Sequence, residues 1–102
     1  MKEISALELA EKIKNGETVS VIDVREDEEV AEGKIPGAVH IPLGQIPERL
    51  NDINKEEHHF MVCRSGARSG RASEYLLANG YDVTNMSGGM MAWEDEVEIP
   101  KK

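Results

Sequence analysis

Residues 60–80, FMVCRSGARSGRASEYLLANG, decide the fold because they predict a strand, a tight turn and a helix in direct succession. A short apolar run ends at Cys63, and Ala72 and Leu76 then follow at helical spacing before Gly80 ends the helix. In α/β proteins, ligands bind at the carboxyl ends of the strands. The stretch therefore predicts an α/β unit with its only cysteine at the edge where chemistry usually takes place.

The rest of the chain repeats this alternation of short strands and helices. Residues 5–8, SALE, have the pattern of a capping box, which predicts a helix that ends near Gly16. Strands are predicted at residues 19–23, 39–41, 58–62 and 81–86, and short helical segments within 25–33, 43–50 and 87–97. We expect the helix after Cys63 to begin near Ser69. Such alternation implies a central parallel sheet flanked by helices on both faces.

Length and composition favour one acidic domain. We expect a single domain over residues 1–102, with a loosely ordered charged tail at 94–102. The net charge of −8 argues against nucleic acid or an anionic membrane as partner, and no apolar run is long enough to span a bilayer. The start lacks a signal-peptide pattern, and one cysteine cannot form an internal disulfide. We therefore expect a cytoplasmic protein, with monomer as the default state.

Basic residues cluster around the cysteine although the chain is acidic. Arg64, Arg68 and Arg71 fall within eight residues, with Glu74 as the one acid nearby. This arrangement favours a local site for an anion close to Cys63.

The turn after Cys63 has the features of an anion cradle. Gly66 permits backbone angles that side chains resist, and Ser65 and Ser69 can donate hydrogen bonds. Backbone N–H groups in the turn and at the helix N-terminus would stabilise a negative charge and lower the pKa of the thiol. The residues alone leave a buried structural cysteine as the alternative.

Four segments together resemble the single-domain rhodaneses, a family of sulfurtransferases. They are VIDVRE at residues 21–26, GKIPGAVHIP at 33–42, CRSGARS at 63–69 and MSGGMMAW at 86–93. The resemblance covers residues 19–93 in the family's order. It implies a rhodanese-like fold with about five short parallel strands between helices, and a cysteine that carries a sulfane sulfur as a persulfide.

The resemblance carries over to individual residues of the site. Cys63 matches the catalytic nucleophile, and Asp23 and Arg25 match a structural Asp-x-Arg pair near the site. The expected substrate-binding residues form the loop after the nucleophile: Arg64, Ser65, Gly66, Ala67, Arg68 and Ser69. Lys34 departs from the histidine that many relatives carry before the IPGA segment, a position that we interpret as structural.

The resemblance implies a reaction in two halves without a cofactor. Thiosulfate, or a small or protein persulfide, would dock near Arg64 and Arg68 and give its outer sulfur to Cys63. Cyanide in an assay, or a cellular thiol, which can belong to a protein, would then remove this sulfur. No metal is expected, because three histidines and one cysteine lack zinc-like spacing. The sequence does not identify the physiological sulfur donor or acceptor.

Two other functions use related features. Cysteine phosphatases and arsenate reductases carry arginine six positions after the cysteine, but Ser69 occupies that position here and Arg68 comes one residue earlier. The shorter loop suits a sulfur atom better than a phosphate. A non-catalytic rhodanese-fold binding module is the other alternative, although such modules usually lack the cysteine. A dithiol mechanism within one chain is excluded because Cys63 has no second cysteine.

The histidines and methionines have structural interpretations. His58 and His59 are neighbours on a predicted strand and should face opposite ways, which disfavours a shared metal. His40 is expected to form a structural hydrogen bond. Met86, Met90 and Met91 suit a core or the rim of a groove.

Overall fold

A computed structural model of the chain describes residues 1–100, which form a five-stranded sheet with helices on both faces. The strands are β1 (Glu3–Ser5), β2 (Ser20–Asp23), β3 (Val39–His40), β4 (His58–Val62) and β5 (Asp82–Ser87). The helices are α1 (Ala6–Lys14), α2 (Asp27–Val30) and α3 (Ala67–Ala78), and 3₁₀ segments span Leu43–Gln45, Pro47–Asp52 and Gly89–Ala92. None of the described helices is long and apolar enough to cross a bilayer.

The sheet has the order β1-β5-β4-β2-β3, and every neighbouring pair is parallel. All five strands therefore end at one edge, and β4 lies in the middle of the sheet. Val62, the last residue of β4, pairs with Asp23 at the end of β2. This register places the residue after β4 among the segments that follow the neighbouring strands.

Two apolar clusters cover the two faces of the sheet. One cluster contains Ala72 and Leu76 of α3 together with Met61 and Cys63, and the other contains Leu9 of α1. Leu9, Met61 and Leu76 have no exposed surface. This arrangement confirms the α/β sheet flanked by helices on both faces.

The capping box at the start of α1 is present. The backbone N–H of Glu8 donates to the hydroxyl of Ser5, and the backbone N–H of Ser5 donates to the Glu8 carboxylate, both at 3.0 Å. Gly16 follows the helix with a φ of 81°, which glycine adopts without strain. Local sequence chemistry therefore sets both ends of this helix, as predicted.

Strand β1 is absent from the sequence prediction. It has three residues and only Ile4 is buried, so it shows no apolar periodicity. Its place is set by pairing with β5 and by two contacts across the sheet. The backbone N–H of Asn85 donates to the carbonyl of Lys2 at 3.0 Å, and the Ser87 hydroxyl donates to the carbonyl of Ile4 at 3.2 Å. Tertiary pairing thus creates a strand that local propensity does not indicate.

Part of the charged tail is attached to the domain. Lys34 and Glu98 exchange two backbone hydrogen bonds, and the Lys34 ammonium also lies 2.8 Å from the Glu98 carboxylate. The same ammonium donates to the carbonyl of Ala38 at 2.8 Å. These contacts hold the chain near residue 98, where the charge pattern predicts a loosely ordered tail. Lys101 and Lys102, which belong to that tail, lie outside the described residues.

Candidate active site

Cys63 follows β4 directly and lies at the shared carboxyl edge of the sheet. Met61 and Val62 before it are fully buried, which fixes the end of the strand in the core. Cys63 itself is buried among the side chains beneath α3. The strand thus delivers the thiol to the base of the turn that follows.

The turn between Cys63 and α3 is shorter than predicted. The helix begins at Ala67 rather than near Ser69, so Ala67, Arg68 and Ser69 form its first turn. The reason is Gly66, which caps the helix with a φ of 101°, a conformation that side chains rarely adopt. Only two exposed residues, Arg64 and Ser65, remain between the cysteine and this cap.

The turn and the helix both donate hydrogen bonds to the sulfur. The backbone N–H of Gly66 lies 3.1 Å from Cys63 Sγ, and the hydroxyl of Ser69 lies 3.3 Å from it. Ser69 has no exposed surface, so solvent does not compete with the sulfur for its hydroxyl. Two donors therefore converge on one sulfur atom.

Opposing effects set the pKa of the Cys63 thiol. Burial alone would raise this pKa, because it disfavours the thiolate. Hydrogen bonds from the Ser69 hydroxyl and from the backbone N–H groups of Ser69, Gly66 and Ser65 together outweigh burial. The pKa of Cys63 consequently lies below its ordinary value, and a larger fraction of the thiol is the nucleophilic thiolate.

Neighbouring segments hold the turn in this shape. The side-chain amide of Asn85, on β5, donates to the carbonyl of Gly66 at 3.1 Å. The backbone N–H of Met90 donates to the carbonyl of Cys63 at 2.8 Å. Gly89 lies so close to the carbonyl of Arg64 that a side chain at Gly89 would overlap it. Contacts from β5 and from Gly89 and Met90 after it therefore hold the turn in place.

Arg68 is engaged in an ion pair. Its two terminal nitrogens donate to the two carboxylate oxygens of Glu29, on α2, at 2.7 and 2.8 Å. The hydrogen bond with Arg68 is the main reason that the pKa of Glu29 falls to about 2, and the same contact raises the pKa of Arg68. The sequence predicts that Arg68 binds the sulfur donor, and this role stays a prediction; the structure shows that its guanidinium already has a carboxylate partner.

Arg25 and Asp23 form the ion pair that the resemblance implies. Arg25 Nη2 lies 2.8 Å from Asp23 Oδ2, and both side chains are almost fully buried. Arg25 also donates to the carbonyl of Gly33 at 2.8 Å. The pair therefore ties the end of β2 to the segment after α2. Arg64 differs from Arg25 and Arg68, since it is exposed and has no carboxylate partner among residues 1–100.

A cavity of about 510 Å³ opens beside the turn. Its lining residues come from three segments of the chain: Arg25, Glu29, Glu32, Gly33, Arg64, Met90 and Met91. Met91 is 70% exposed and forms part of the rim of this groove. Met90 is half-buried, and it also packs against the apolar cluster that contains Leu9. The cavity gives a donor or acceptor a place next to the turn that holds Cys63.

The histidines take structural roles. His40 Nε2 donates to the carbonyl of Arg25 at 2.7 Å. His59 is buried against Ser20, whereas His58 faces Asp82, so the two neighbours point in different directions. Within residues 1–100, no three His, Cys, Asp or Glu side chains converge as a metal site would require.

Glu29 and Asn85 also belong to the site, although the sequence does not predict them there. Asn85 carries a signal, because an amide in a buried strand needs a hydrogen-bond partner. Glu29 carries none, because it stands among several acids in one short run and pairs with a residue 39 positions away.

Comparisons with known proteins agree with this geometry. A family model described as a rhodanese-like domain matches residues 5–96. The YtwF protein of Bacillus subtilis (strain 168), provisionally named a sulfurtransferase, is 51% identical over 98 residues, which cover 96% of this chain and 95% of that protein. A sulfurtransferase of Allochromatium vinosum is 39% identical over 94 residues, covering 91% and 88% of the two chains. The crystal structure of a rhodanese-like domain protein from Staphylococcus aureus matches with a TM-score of 0.93 and 48% identity, covering 99% of this chain and 100% of that one.

The relatives and the fold lead to one family. The five-stranded parallel sheet and its flanking helices match a solved rhodanese-like structure along nearly the whole chain. The relatives' names support sulfurtransferase activity. The chain belongs to the rhodanese-like domain family.

Proposed function

We propose that this protein transfers a sulfane sulfur through a persulfide on Cys63. The observation that carries the proposal is the pair of hydrogen bonds from Gly66 N–H and the Ser69 hydroxyl to Sγ, which lowers the pKa of the thiol. A thiolate is the form that attacks sulfur. Membership of a family whose relatives are named sulfurtransferases supports the same chemistry.

The first half-reaction moves sulfur from a donor to the enzyme. The Cys63 thiolate attacks the outer sulfur of thiosulfate or of a persulfide, and a new S–S bond forms at Sγ. The donor's own S–S bond breaks, and its electron pair leaves with sulfite or with the donor thiolate. No external oxidant or reductant is needed. The N–H of Gly66 and the hydroxyl of Ser69, which donate hydrogen bonds to the thiolate, can then stabilise the negative charge of the persulfide.

The second half-reaction returns the enzyme to its starting state. A cellular thiolate, or cyanide in an assay, attacks the outer sulfur of the Cys63 persulfide. The S–S bond to Sγ breaks, and the electron pair returns to Cys63 as thiolate. Substituted-enzyme kinetics follow from this order, because the donor's remainder leaves before the acceptor reacts.

Intact-mass spectrometry tests the proposal. The protein is mixed with thiosulfate, with glutathione persulfide, or with neither, and its mass is measured before and after addition of a thiol. We expect the mass of one additional sulfur atom, which the thiol removes. Cys63→Ser should gain none while keeping its circular-dichroism spectrum.

Two other results would replace the proposal. A folded wild-type protein that gains no sulfur from any donor would favour a non-catalytic binding module. Release of phosphate from a chromogenic ester, without thiocyanate from thiosulfate and cyanide, would favour a cysteine phosphatase.

A further inference from the structure

Carboxylates neutralise most of the positive charge near Cys63. Glu29 holds the guanidinium of Arg68 with two hydrogen bonds, and Asp23 holds that of Arg25. Both pairs are at hydrogen-bond distance, so each presents little net charge to an incoming ion. Arg64 is the one cation of the cavity lining without a carboxylate partner among residues 1–100.

Exposed acids lie in and next to the same cavity. Glu32 is in its lining, and Glu26, Asp27 and Glu28 are exposed at the start of the short α2 segment, whose Glu29 also lines the cavity. On this side of the molecule the exposed carboxylates therefore outnumber the one guanidinium of the lining, that of Arg64, which has no carboxylate partner among residues 1–100. A small dianion such as thiosulfate meets repulsion there, whereas a positively charged surface is attracted.

Exposed apolar side chains continue from the cavity. Met91 lines the mouth and is 70% exposed. Val97 and Ile99, also exposed, lie against Gly33, another residue of the lining. Thiosulfate and glutathione offer little apolar surface for these side chains, but a polypeptide can cover them.

Resting on the proposed function, we infer that the sulfur donor is a polypeptide persulfide whose cysteine lies among basic residues, rather than thiosulfate. Attraction to the acids in and next to the cavity brings this donor to the site, and the exposed side chains of Met91, Val97 and Ile99 add contact area. The inference names the class of substrate and leaves the chemistry at Cys63 unchanged.

The transfer step balances without a further reactant. The Cys63 thiolate attacks the outer sulfur of the protonated persulfide R–S–SH, and a bond forms between Sγ and that sulfur. The bond between the two donor sulfurs breaks, and its electron pair leaves on the inner sulfur as R–S⁻. The proton stays on the transferred sulfur.

Loading rates with charged peptides test the inference. The donors are thiosulfate and two persulfidated cysteine peptides of equal length, one flanked by lysines and one by glutamates. Intact mass follows the gain of sulfur on the full chain. We expect the lysine peptide to load Cys63 at least about tenfold faster than the glutamate peptide at low salt. Added salt should slow the lysine peptide and speed up thiosulfate, because screening weakens attraction and repulsion alike.

A charge-reversal variant tests whether the acid in the cavity lining causes the dependence of the loading rate on donor charge. Glu32→Lys should slow loading by the lysine peptide several-fold and speed up loading by thiosulfate. Glu56→Lys is the matched control, since it makes the same change in net charge but lies before β4, at the opposite end of the strand from Cys63. The control should stay close to the wild type with both donors.

The outcomes separate this inference from the proposed function. Equal rates with the two peptides, or the same salt dependence for thiosulfate and the lysine peptide, would overturn the inference while sulfur loading still supported the proposed function. Equal effects of Glu32→Lys and Glu56→Lys would also overturn it, because only net charge would then matter. Absence of loading from all three donors would overturn both.

Discussion

The hydroxyl of Ser69 is the side-chain donor that most directly tunes the sulfur. It is fully buried and lies 3.3 Å from Cys63 Sγ. Its position in the first turn of α3 depends on Gly66, which lets the helix begin at Ala67, four residues after the cysteine. A single hydroxyl thus connects the start of a helix to the reactivity of a thiol.

Ser69→Ala should raise the pKa of Cys63, since the substitution removes the largest of the effects that lower it. The pH profile of iodoacetamide alkylation measures this pKa, and its midpoint should move to higher pH than in the wild type. Ser73→Ala is the matched control, because it also removes a buried hydroxyl, one turn later on the same helix. The hydroxyl of Ser73 donates to the carbonyl of Ser69 and not to the sulfur. Equal midpoints for wild type and Ser69→Ala would remove Ser69 from the site.

At the scale of elements, the buried Arg25–Asp23 pair joins β2 to the segment that follows α2. Arg25→Ala would leave the Asp23 carboxylate buried without its guanidinium, which costs about 3–5 kcal/mol of unfolding free energy. Urea denaturation measures this loss. Arg49→Ala removes an arginine from an exposed pair with Asp52 and should cost only about 0–1 kcal/mol. Similar losses for the two variants would contradict a structural role for the buried pair.

The Glu29–Arg68 pair joins α2 to α3 and should make stability depend on pH. The pKa of Glu29 is about 2 in the folded protein, against 4.5 for an ordinary glutamate. The pair therefore contributes its full stabilisation above the ordinary pKa and loses it as the pH falls through the folded value. Glu29→Gln should be less stable than the wild type at neutral pH, and the difference should close between about pH 4.5 and pH 2. A difference that stays constant across this range would contradict the ion pair.

At the scale of the whole molecule, the sequence predicts the alternation of strands and helices well because most elements carry a local signal. The capping box starts α1, and the segment 58–62, which ends in the apolar residues Phe60, Met61 and Val62, forms the central strand β4. Strand β1 has no such signal, since a single buried residue, Ile4, cannot show a period. Its formation depends on pairing with β5, which is distant in sequence.

The candidate site likewise contains residues that the local sequence predicts and residues that only the fold brings together. The cysteine, the glycine and the serine of the turn stand close together in the sequence, so their convergence on the sulfur follows from one strand–turn–helix unit. The partners of the arginines do not follow from local sequence. Arg68 is 39 residues away from Glu29 in the sequence, and only the tertiary fold brings the two side chains together. The sequence therefore predicts the nucleophile, whereas the charge balance around it requires the fold.

If the fold lowers the pKa of Cys63, the thiol must ionise at lower pH in the folded protein than in the unfolded one, and a spectroscopic titration measures this. Ultraviolet absorbance of the thiolate is followed against pH for the folded protein and for the same protein in denaturant, with Cys63→Ser as the blank. We expect the folded thiol to titrate at lower pH than the unfolded thiol. A folded midpoint equal to or above the unfolded one would show that burial of the sulfur prevails over its hydrogen bonds, and that the site does not activate the thiol.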